Sequence, residues 1–400
     1  MCSFVTCSFE TRHQGWGSNY KITRLPDYKI HPMPFTDFAG NPETIHRLRE
    51  MLARDRFPHA VILSGAHGAG KYTLALMLAR AMNCLEQPST NGDGLPDFCG
   101  RCSNCTRIAQ SADLDARFAE AVEARENLRD SDKKDTRLFV QTHPDVLIIP
   151  PDPPQMMIKV DQVRHVIDTI YYRPGEARER VYVFTGSAFM KEAANSLLKV
   201  LEEPPDFATI FLLTENAGEL LPTIRSRSMT FHLGALAASE VESRLAKLRP
   251  EWNPKQRALV ARLSEGALGR ALSLNLESYI AARSHALIML KSALGAGDHT
   301  NLFKTTETYR SGAEGREKID NLLRTLYALL EDLMFLQSGA EQLIRNTDIL
   351  GELKKMSEAT DFAWLQHAAE GLGEVERGLR RNLLRSLSLD AFATALERVS

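Results

Sequence analysis

The fold of this chain is decided by residues 60–71, which read AVILSGAHGAGK. An apolar run without polar alternation is typical of a strand that is buried on both faces of a sheet. The glycines after it let backbone N–H groups converge on phosphate oxygens, and Lys71 adds a positive charge where a helical repeat through Leu74 and Leu78 begins. This strand, loop and helix predict a phosphate-binding loop. Its predicted nucleotide-binding residues are Gly65, Gly68, Gly70 and Lys71.

Two features argue against metal-assisted hydrolysis at this loop. The residue after the lysine is normally Ser or Thr, whose hydroxyl binds the Mg²⁺ that bridges the phosphates, but here it is Tyr72. A phenol is too long for that position, and Thr73 lies about 100° further around the helix. The strand at 181–184 should end in acidic residues, yet Thr185 and Gly186 follow it. We therefore predict a degenerate site, with Thr73 among its nucleotide contacts.

Apolar runs like the first one recur along the chain and predict further strands of a buried sheet. They lie at 146–149, 181–184, 210–213 and 229–233. Helical patterns separate them, which favours parallel strands joined by right-handed crossovers. Residues 34–233 are therefore predicted to form an α/β domain with a five-stranded parallel sheet.

The remaining parts of the chain have other patterns. After Gly234 the strand patterns stop and leucines repeat at helical spacing, at Leu322–Leu333 and again at Leu379–Leu387. We predict two all-helical units, at 234–285 and 286–400. Residues 1–33 lack sustained periodicity and predict a loose tail. The charged stretch at 112–141 predicts an exposed insertion.

Composition sets the broad class of the protein. With 44% hydrophobic and 25% charged residues, the 400-residue chain has the balance of an ordinary globular protein of two or three domains. Its formal net charge of -2 gives no overall attraction to nucleic acid, so DNA contact would need a local patch. No apolar run approaches the roughly 20 residues that span a bilayer, and residues 1–9 are a poor secretion signal. We expect a cytoplasmic protein without membrane contact, whose cysteines stay reduced.

Clustered cysteines predict a metal site. Three thiols lie at two-residue gaps within 99–105, and a fourth lies upstream. Such knuckles aim sulfurs at one tetrahedral Zn²⁺, and four ligands imply a closed structural site in a zinc module at 84–105. An iron–sulfur cluster and unligated thiols remain open as alternatives. Cys2 and Cys7, in the tail, receive no role. The predicted zinc ligands are Cys84, Cys99, Cys102 and Cys105.

Two longer stretches carry a family resemblance. Residues 190–205, MKEAANSLLKVLEEPP, closely resemble the helix after the second ATPase motif in bacterial clamp-loader subunits. Residues 221–227, LPTIRSR, resemble the Ser-Arg-Cys segment of that family, with Ser228 where its cysteine usually lies. The resemblance covers about 35–233 well and the helical remainder more loosely. The chain thereby resembles the AAA+ clamp-loader family of bacterial DNA polymerase III, some of whose subunits share the upstream cysteine and the tight triplet.

The resemblance implies a role for particular residues. Motor (gamma/tau) subunits of the family keep an intact phosphate loop, whereas delta-prime subunits lose it and keep an arginine that reaches the ATP of a neighbouring subunit. By this resemblance Arg227 is the arginine finger, with Arg225 a weaker candidate and a surface ion pair the alternative. Thr214 corresponds to the sensor residue, and Arg270 to the lid residue near the nucleotide, although either one can be structural. The helical units correspond to the lid domain at 234–285 and the oligomerisation (collar) domain at 286–400.

The implied function is that of a non-hydrolysing subunit within a DNA-directed DNA polymerase holoenzyme. Its implied partners are the motor and delta subunits of a hetero-oligomeric ring and, through the ring, the sliding clamp and primer-template DNA. ATP or ADP would bind without hydrolysis. One alternative is an active motor-type ATPase, against which Tyr72 and Thr185 argue. Another is a zinc-dependent nucleic-acid-binding module, which the charge balance and the absence of a basic stripe near 99–105 disfavour.

Overall fold

The computed structural model describes residues 34–86, 89–90, 93–295, 299–310, 313–381 and 383–397. The chain forms two compact units. Among the described residues, the first unit comprises those up to Leu236 together with Ala267–Arg270, and the second comprises Ala237–Gly266 and those from Ala271 onward. The tail predicted at 1–33 lies outside the described residues. Within those residues, no helix has the length and apolar character needed to cross a membrane.

The first unit is built on a six-stranded sheet with the order β4-β5-β6-β7-β1-β8. A separate antiparallel pair is formed by β2 and β3. The strands are β1 (Ala60–Gly65), β2 (Ser89–Thr90), β3 (Pro96–Asp97), β4 (Val140–His143), β5 (Val146–Ile149), β6 (Arg180–Phe184), β7 (Ala208–Thr214) and β8 (Met229–Leu233). Strand β1 pairs in parallel with both β7 and β8, so the predicted phosphate loop leaves the sheet from an interior strand.

The predicted number of strands was wrong by one. The five predicted strands correspond to β1, β5, β6, β7 and β8, and the ladders that join them are parallel. The sixth, β4, pairs antiparallel with β5 at the edge of the sheet. Its sequence is VQTH, which lacks a continuous apolar run because an edge strand has less of its surface buried than an interior strand.

Helices cover both faces of this sheet. In β1, Val61 and Leu63 pack with Leu74 of helix α2 (Lys71–Asn83) in one apolar cluster. Ile62 points to the other face, where it packs in a second cluster with Val163 of α6. The helices of this unit are α1 (Pro42–Ala53), α2 (Lys71–Asn83), α3 (Ser103–Ala109), α4 (Leu114–Glu126), α5 (Asp130–Asp135), α6 (Val160–Ile170), α7 (Lys191–Glu202) and α8 (Pro222–Arg225).

The charged stretch at 112–141 supplies α4, α5 and the start of β4. One end of α4 is fixed to the rest of the unit by a buried ion pair. Arg125 Nη1 lies 2.6 Å from Asp152 Oδ1, and Lys159 Nζ lies 3.1 Å from the same oxygen. Because Asp152 is fully buried, this ion pair holds the predicted insertion to the segment between β5 and Lys159.

The second unit is helical, as predicted. Its leucine repeat at Leu322–Leu333 lies on α14 and is buried in one apolar cluster. The second repeat does not form one helix: α16 ends at Arg380, and Leu383, Leu384 and Leu387 are exposed. Helix α12 runs through the position of the boundary predicted at 285. The remaining helices are α9 (Ala238–Leu248), α10 (Pro254–Leu263), α11 (Leu268–Ser273), α12 (Leu276–Ala293), α13 (His299–Glu307), α14 (Ala313–Gln337), α15 (Leu350–Glu358), α16 (Phe362–Arg380) and α17 (Arg385–Glu397).

Candidate nucleotide and metal sites

The predicted phosphate loop lies between β1 and α2. Gly68 and Gly70 have φ values of 79° and 90°, a conformation that residues with a side chain rarely adopt. A Cβ atom on Gly68 would lie 2.4 Å from the backbone nitrogen of Arg270, and Gly269 N donates a hydrogen bond to Gly68 O at 2.9 Å. The structure therefore brings the predicted residue Arg270 to the predicted loop by close backbone approach.

The ammonium group of Lys71 is folded onto the loop that precedes it. Its Nζ donates hydrogen bonds to Gly65 O at 2.6 Å and to Ala66 O at 2.8 Å. Burial lowers the pKa of Lys71, and the negative charge of Glu215 opposes that shift. The lysine charge thus interacts with loop carbonyls and with a carboxylate that follows β7. Thr73, also predicted to contact nucleotide, is exposed on the first turn of α2.

Tyr72 occupies the position of the magnesium-binding hydroxyl and has a different partner. Its hydroxyl donates a hydrogen bond to Ser111 O at 2.6 Å. The ring packs on the apolar cluster together with Ala112 and Leu114. Burial raises the pKa of Tyr72, and the nearby carboxylate of Asp113 adds to this shift. The phenol therefore stays neutral and ties α2 to the segment that precedes α4.

The carboxylate of Glu219, which was not predicted as a site residue from the sequence, lies close to side chains at the carboxyl ends of β6 and β7. Ser187 Oγ, three residues beyond β6, donates a hydrogen bond to Glu219 Oε2. The buried Thr214, the predicted sensor residue, lies at the end of β7, and its Oγ1 is 3.2 Å from the same oxygen. Thr214 Oγ1 also donates to Asn216 O at 2.8 Å. Neither Glu219 nor Glu215 is on β6, where the acidic residues of an intact site would lie.

A positional signal could have identified one of these glutamates. Ligands of open α/β sheets bind outside the carboxyl ends of the strands, and Glu215 and Glu219 follow the end of β7. Strand β7 lies between β6 and β1 in the sheet. This rule identifies Glu215, which directly follows β7, whereas Glu219 lies five residues beyond the end of that strand.

Arg227, the predicted arginine finger, follows the short helix α8. It is paired within the chain: Nη2 lies 2.7 Å from Glu202 Oε1, and Nη1 donates to Thr223 O at 3.0 Å. The side chains of Arg227 and Glu202 remain 34% and 51% exposed, so solvent and a partner can reach both. Arg225 is exposed as well. The alternative of a surface ion pair thus has a defined partner, Glu202.

The four predicted zinc ligands come together in space. Their Sγ atoms all lie within 4.8 Å of one another. Cys84 follows α2 directly, and Cys102 is the N-cap of α3. Three of the sulfurs each accept a hydrogen bond from the backbone N–H of the next cysteine in the chain. Cys99 N donates to Cys84 Sγ at 3.3 Å, Cys102 N to Cys99 Sγ at 3.3 Å and Cys105 N to Cys102 Sγ at 3.5 Å. Donors aimed at sulfur favour the thiolate form that binds metal.

The donor set fits one tetrahedral Zn²⁺ ion. Zn–S bonds of about 2.3 Å place the sulfurs of a tetrahedron about 3.8 Å apart, which is compatible with the observed grouping. Burial raises the pKa of the Cys84 and Cys105 thiols. Burial acts in the same direction on Cys102, but N–H donors including Cys105 N and Leu85 N lower the pKa of Cys102 to about 7. Buried thiols of this kind ionise favourably when a metal cation neutralises them, so these residues would hold a structural zinc.

Comparisons with known proteins relate the α/β unit to subunits of DNA polymerase III. Residues 40–237 match the family model described as DNA polymerase III, delta subunit. The chain is 30% identical over 251 residues to DNA polymerase III subunit tau of Escherichia coli (strain K12), with 62% of this chain and 33% of tau covered. It is 23% identical over 362 residues to DNA polymerase III subunit gamma of Buchnera aphidicola subsp. Schizaphis graminum, with 85% of this chain and 88% of gamma covered.

The extent of these similarities differs between proteins. The chain spans about a third of the length of the tau subunits that it matches. A solved structure of a DNA polymerase III, gamma subunit-related protein from Thermotoga maritima has 18% identity and a TM-score of 0.35, with 88% of this chain and 99% of that chain covered. So low a TM-score adds nothing to the fold assignment, which rests on the sheet order. The family model covers residues 40–237, and together with the sequence relatives it makes this chain similar to DNA polymerase III subunits of the delta and gamma/tau kinds.

Proposed function

We propose that this chain is a clamp-loader subunit of the delta-prime class, which does not hydrolyse ATP and completes the active site of a neighbouring motor subunit. In this role it joins motor (gamma/tau) and delta subunits in an AAA+ ring that loads the sliding clamp on primer-template DNA. Its own phosphate loop would hold ATP or ADP without turnover. The helical second unit would supply the lid and the collar that joins the ring.

The observation that carries this proposal is the position of the Tyr72 hydroxyl. An intact phosphate loop uses a Ser or Thr hydroxyl to bind the Mg²⁺ between the β- and γ-phosphates. Here the hydroxyl is 2.6 Å from Ser111 O, and the partly buried side chain packs against the apolar core of the unit. Because β6 is followed by Thr185 and Gly186, the second source of a metal ligand is missing as well.

Arg227 supports the part of the proposal that concerns the neighbouring subunit. A guanidinium that stabilises charge on a transferring phosphoryl group must be presented at the surface. Arg227 is partly exposed, and its counter-ion Glu202 is half-exposed. An exposed ion pair contributes about 0–1 kcal/mol to stability. Arg227 can therefore leave Glu202 and contact a phosphate group of a neighbouring subunit with little loss of stability for this chain.

The motor-type ATPase stays a second candidate because the relatives reported above are gamma and tau subunits. The two candidates differ in whether Lys71 takes part in turnover. In a motor subunit the lysine contacts the phosphates of the hydrolysed nucleotide, whereas in a non-hydrolysing subunit its charge contributes to binding alone.

ATP turnover by the purified chain tests this difference. We expect the wild-type chain and the Lys71→Ala variant to hydrolyse ATP equally slowly in the presence of Mg²⁺, because neither Tyr72 nor Thr185 supplies a metal ligand. In a reconstituted loader, Lys71→Ala should leave the turnover rate nearly unchanged. The Tyr72→Thr variant is the matched control, and it should stay inactive because β6 still lacks its carboxylates. A large loss of turnover confined to Lys71→Ala would instead identify a motor subunit.

A further inference from the structure

Arg80, near the carboxyl end of α2, is a buried cation. It is 5% exposed, and its Nε is a buried donor without a hydrogen-bond partner among the described residues. Arg80 lies on α2 one helical turn before Cys84, the residue that caps this helix, so the two side chains are neighbours on one side of the helix. A buried charge that lacks an opposite charge is strongly destabilising. The position of Arg80 therefore requires an anion close by.

The groups around this guanidinium belong to the cysteine cluster. Its Cζ lies 4.2 Å from the centre of the Phe98 ring, and Phe98 directly precedes Cys99. Phe98, Cys84 and Cys105 are buried in the same apolar cluster. Burial lowers the pKa of Arg80, and negative charge on the nearby cysteine sulfurs, of which Cys105 acts most strongly, opposes that shift. The aromatic ring stabilises the cation without neutralising it. The sulfurs are thus the groups that can supply negative charge.

Two other arginines of this region have conventional partners. Arg101 Nη2 lies 2.8 Å from Glu86 Oε2, and the Arg101 side chain is 80% exposed. Arg107 forms an ion pair with the carboxylate of Glu176. Arg80 differs from both in its burial and in facing sulfurs instead of a carboxylate. This difference makes Arg101 a suitable control for the role of Arg80.

The charge of the cysteine cluster depends on whether it holds a metal. Four neutral thiols offer Arg80 no anion, whereas four thiolates around one Zn²⁺ carry a net charge of about -2. We propose that Arg80 is the counter-cation of the cysteine-bound metal, a residue whose guanidinium neutralises part of the thiolate charge and so supports the metal ligands. Groups that contact metal ligands in this way tune metal affinity. The inference rests on zinc binding by the cluster and is independent of ATP and of ring assembly.

Zinc affinity is the first measurement. Competition between the full-length protein and a chromogenic chelator gives the apparent zinc dissociation constant of each variant. We expect Arg80→Met to bind zinc about 10–100-fold more weakly, which is the usual effect of removing a residue that supports metal ligands. Arg80→Lys should lie in between, because it keeps the charge and loses the planar fork. Arg101→Met should match the wild type.

Thermal unfolding separates this role from simple packing. The midpoint is measured for each variant twice, once saturated with zinc and once stripped with chelator. Arg80→Met should lower the midpoint of the zinc-loaded protein, but it should not lower that of the stripped protein, in which the wild-type arginine is a buried charge without an anion. Equal losses in both forms, or an unchanged zinc affinity, would overturn the proposal. A wild-type chain that binds no zinc also overturns it, whereas a failure of clamp loading bears on the proposed function alone.

Discussion

Arg227→Ala is expected to lower ATP hydrolysis at one active site of the reconstituted clamp loader by about 10³–10⁵-fold, the contribution of an arginine finger. Folding, zinc content and ring assembly of this chain should be spared, because the side chain is partly exposed and its ion pair with Glu202 lies at the surface. DNA- and clamp-stimulated ATP turnover and clamp loading are the measurements. Since one interface is affected, bulk turnover can fall in part while clamp loading fails.

Three variants serve as controls for this result. Arg225→Ala removes an exposed arginine of the same segment and should have little effect. Arg227→Lys should rescue poorly, because an ammonium lacks the fork that spans two phosphate oxygens. Glu202→Gln breaks the ion pair but keeps the arginine, so turnover should be retained. If Glu202→Gln reproduces the loss caused by Arg227→Ala, the ion pair itself is the important feature and the role in trans is wrong.

The second large effect concerns the metal. We expect the purified chain to contain one zinc ion, and we expect Cys105→Ala to release it and unfold the module around residues 84–105. The expected loss is large because structural zinc sites contribute about 10–16 kcal/mol of apparent binding free energy in small peptides. Cys105 is also fully buried, and its sulfur would supply negative charge near the guanidinium of Arg80. Elemental analysis, together with limited proteolysis of the region, measures both parts of the prediction.

Two comparisons make the metal prediction specific. Cys2→Ala removes a thiol that lies outside the described residues and for which the sequence predicts no role, so it should keep full zinc content. Ser103→Ala changes a residue between two of the cysteines without removing a thiol, and it should also keep the metal. Iron in place of zinc, or no metal in protein purified without chelator, would contradict the assignment.

The parts of the fold that were predictable are those with local signals. The strands at 60–63 and 210–213 are continuous apolar runs because both of their faces are buried, and they pair as β1 and β7. The two-residue gaps between the cysteines at 99–105 predict a metal site from the sequence alone, and these cysteines do lie close to Cys84 in the structure. By contrast, β4 has only the short sequence VQTH at an edge of the sheet, and no local pattern marks it.

The contacts that could not be predicted join residues that are distant in sequence. Tyr72 was identified as unable to bind magnesium, but its hydrogen bond to Ser111 spans 39 residues and has no sequence signal. Glu219 reaches Ser187 across 32 residues. Arg227 has Glu202 as a neighbour because α7 and the segment after α8 lie side by side, a fact of tertiary packing. Local sequence patterns predict helices, strands and motifs, whereas contacts between such distant residues form only in the folded unit.

Helix α2 joins the two candidate sites mechanically. It begins at Lys71 and is followed directly by Cys84, so its 13 residues form a rod about 20 Å long. The rod is clamped at both ends, by the cysteine cluster at one and by the Tyr72 to Ser111 hydrogen bond at the other. If the cysteine cluster loosens, the hydrogen bond from Tyr72 to Ser111 is the remaining one of these two attachments. Stripping the metal should therefore weaken the anchoring of the helix that begins with the phosphate-loop lysine.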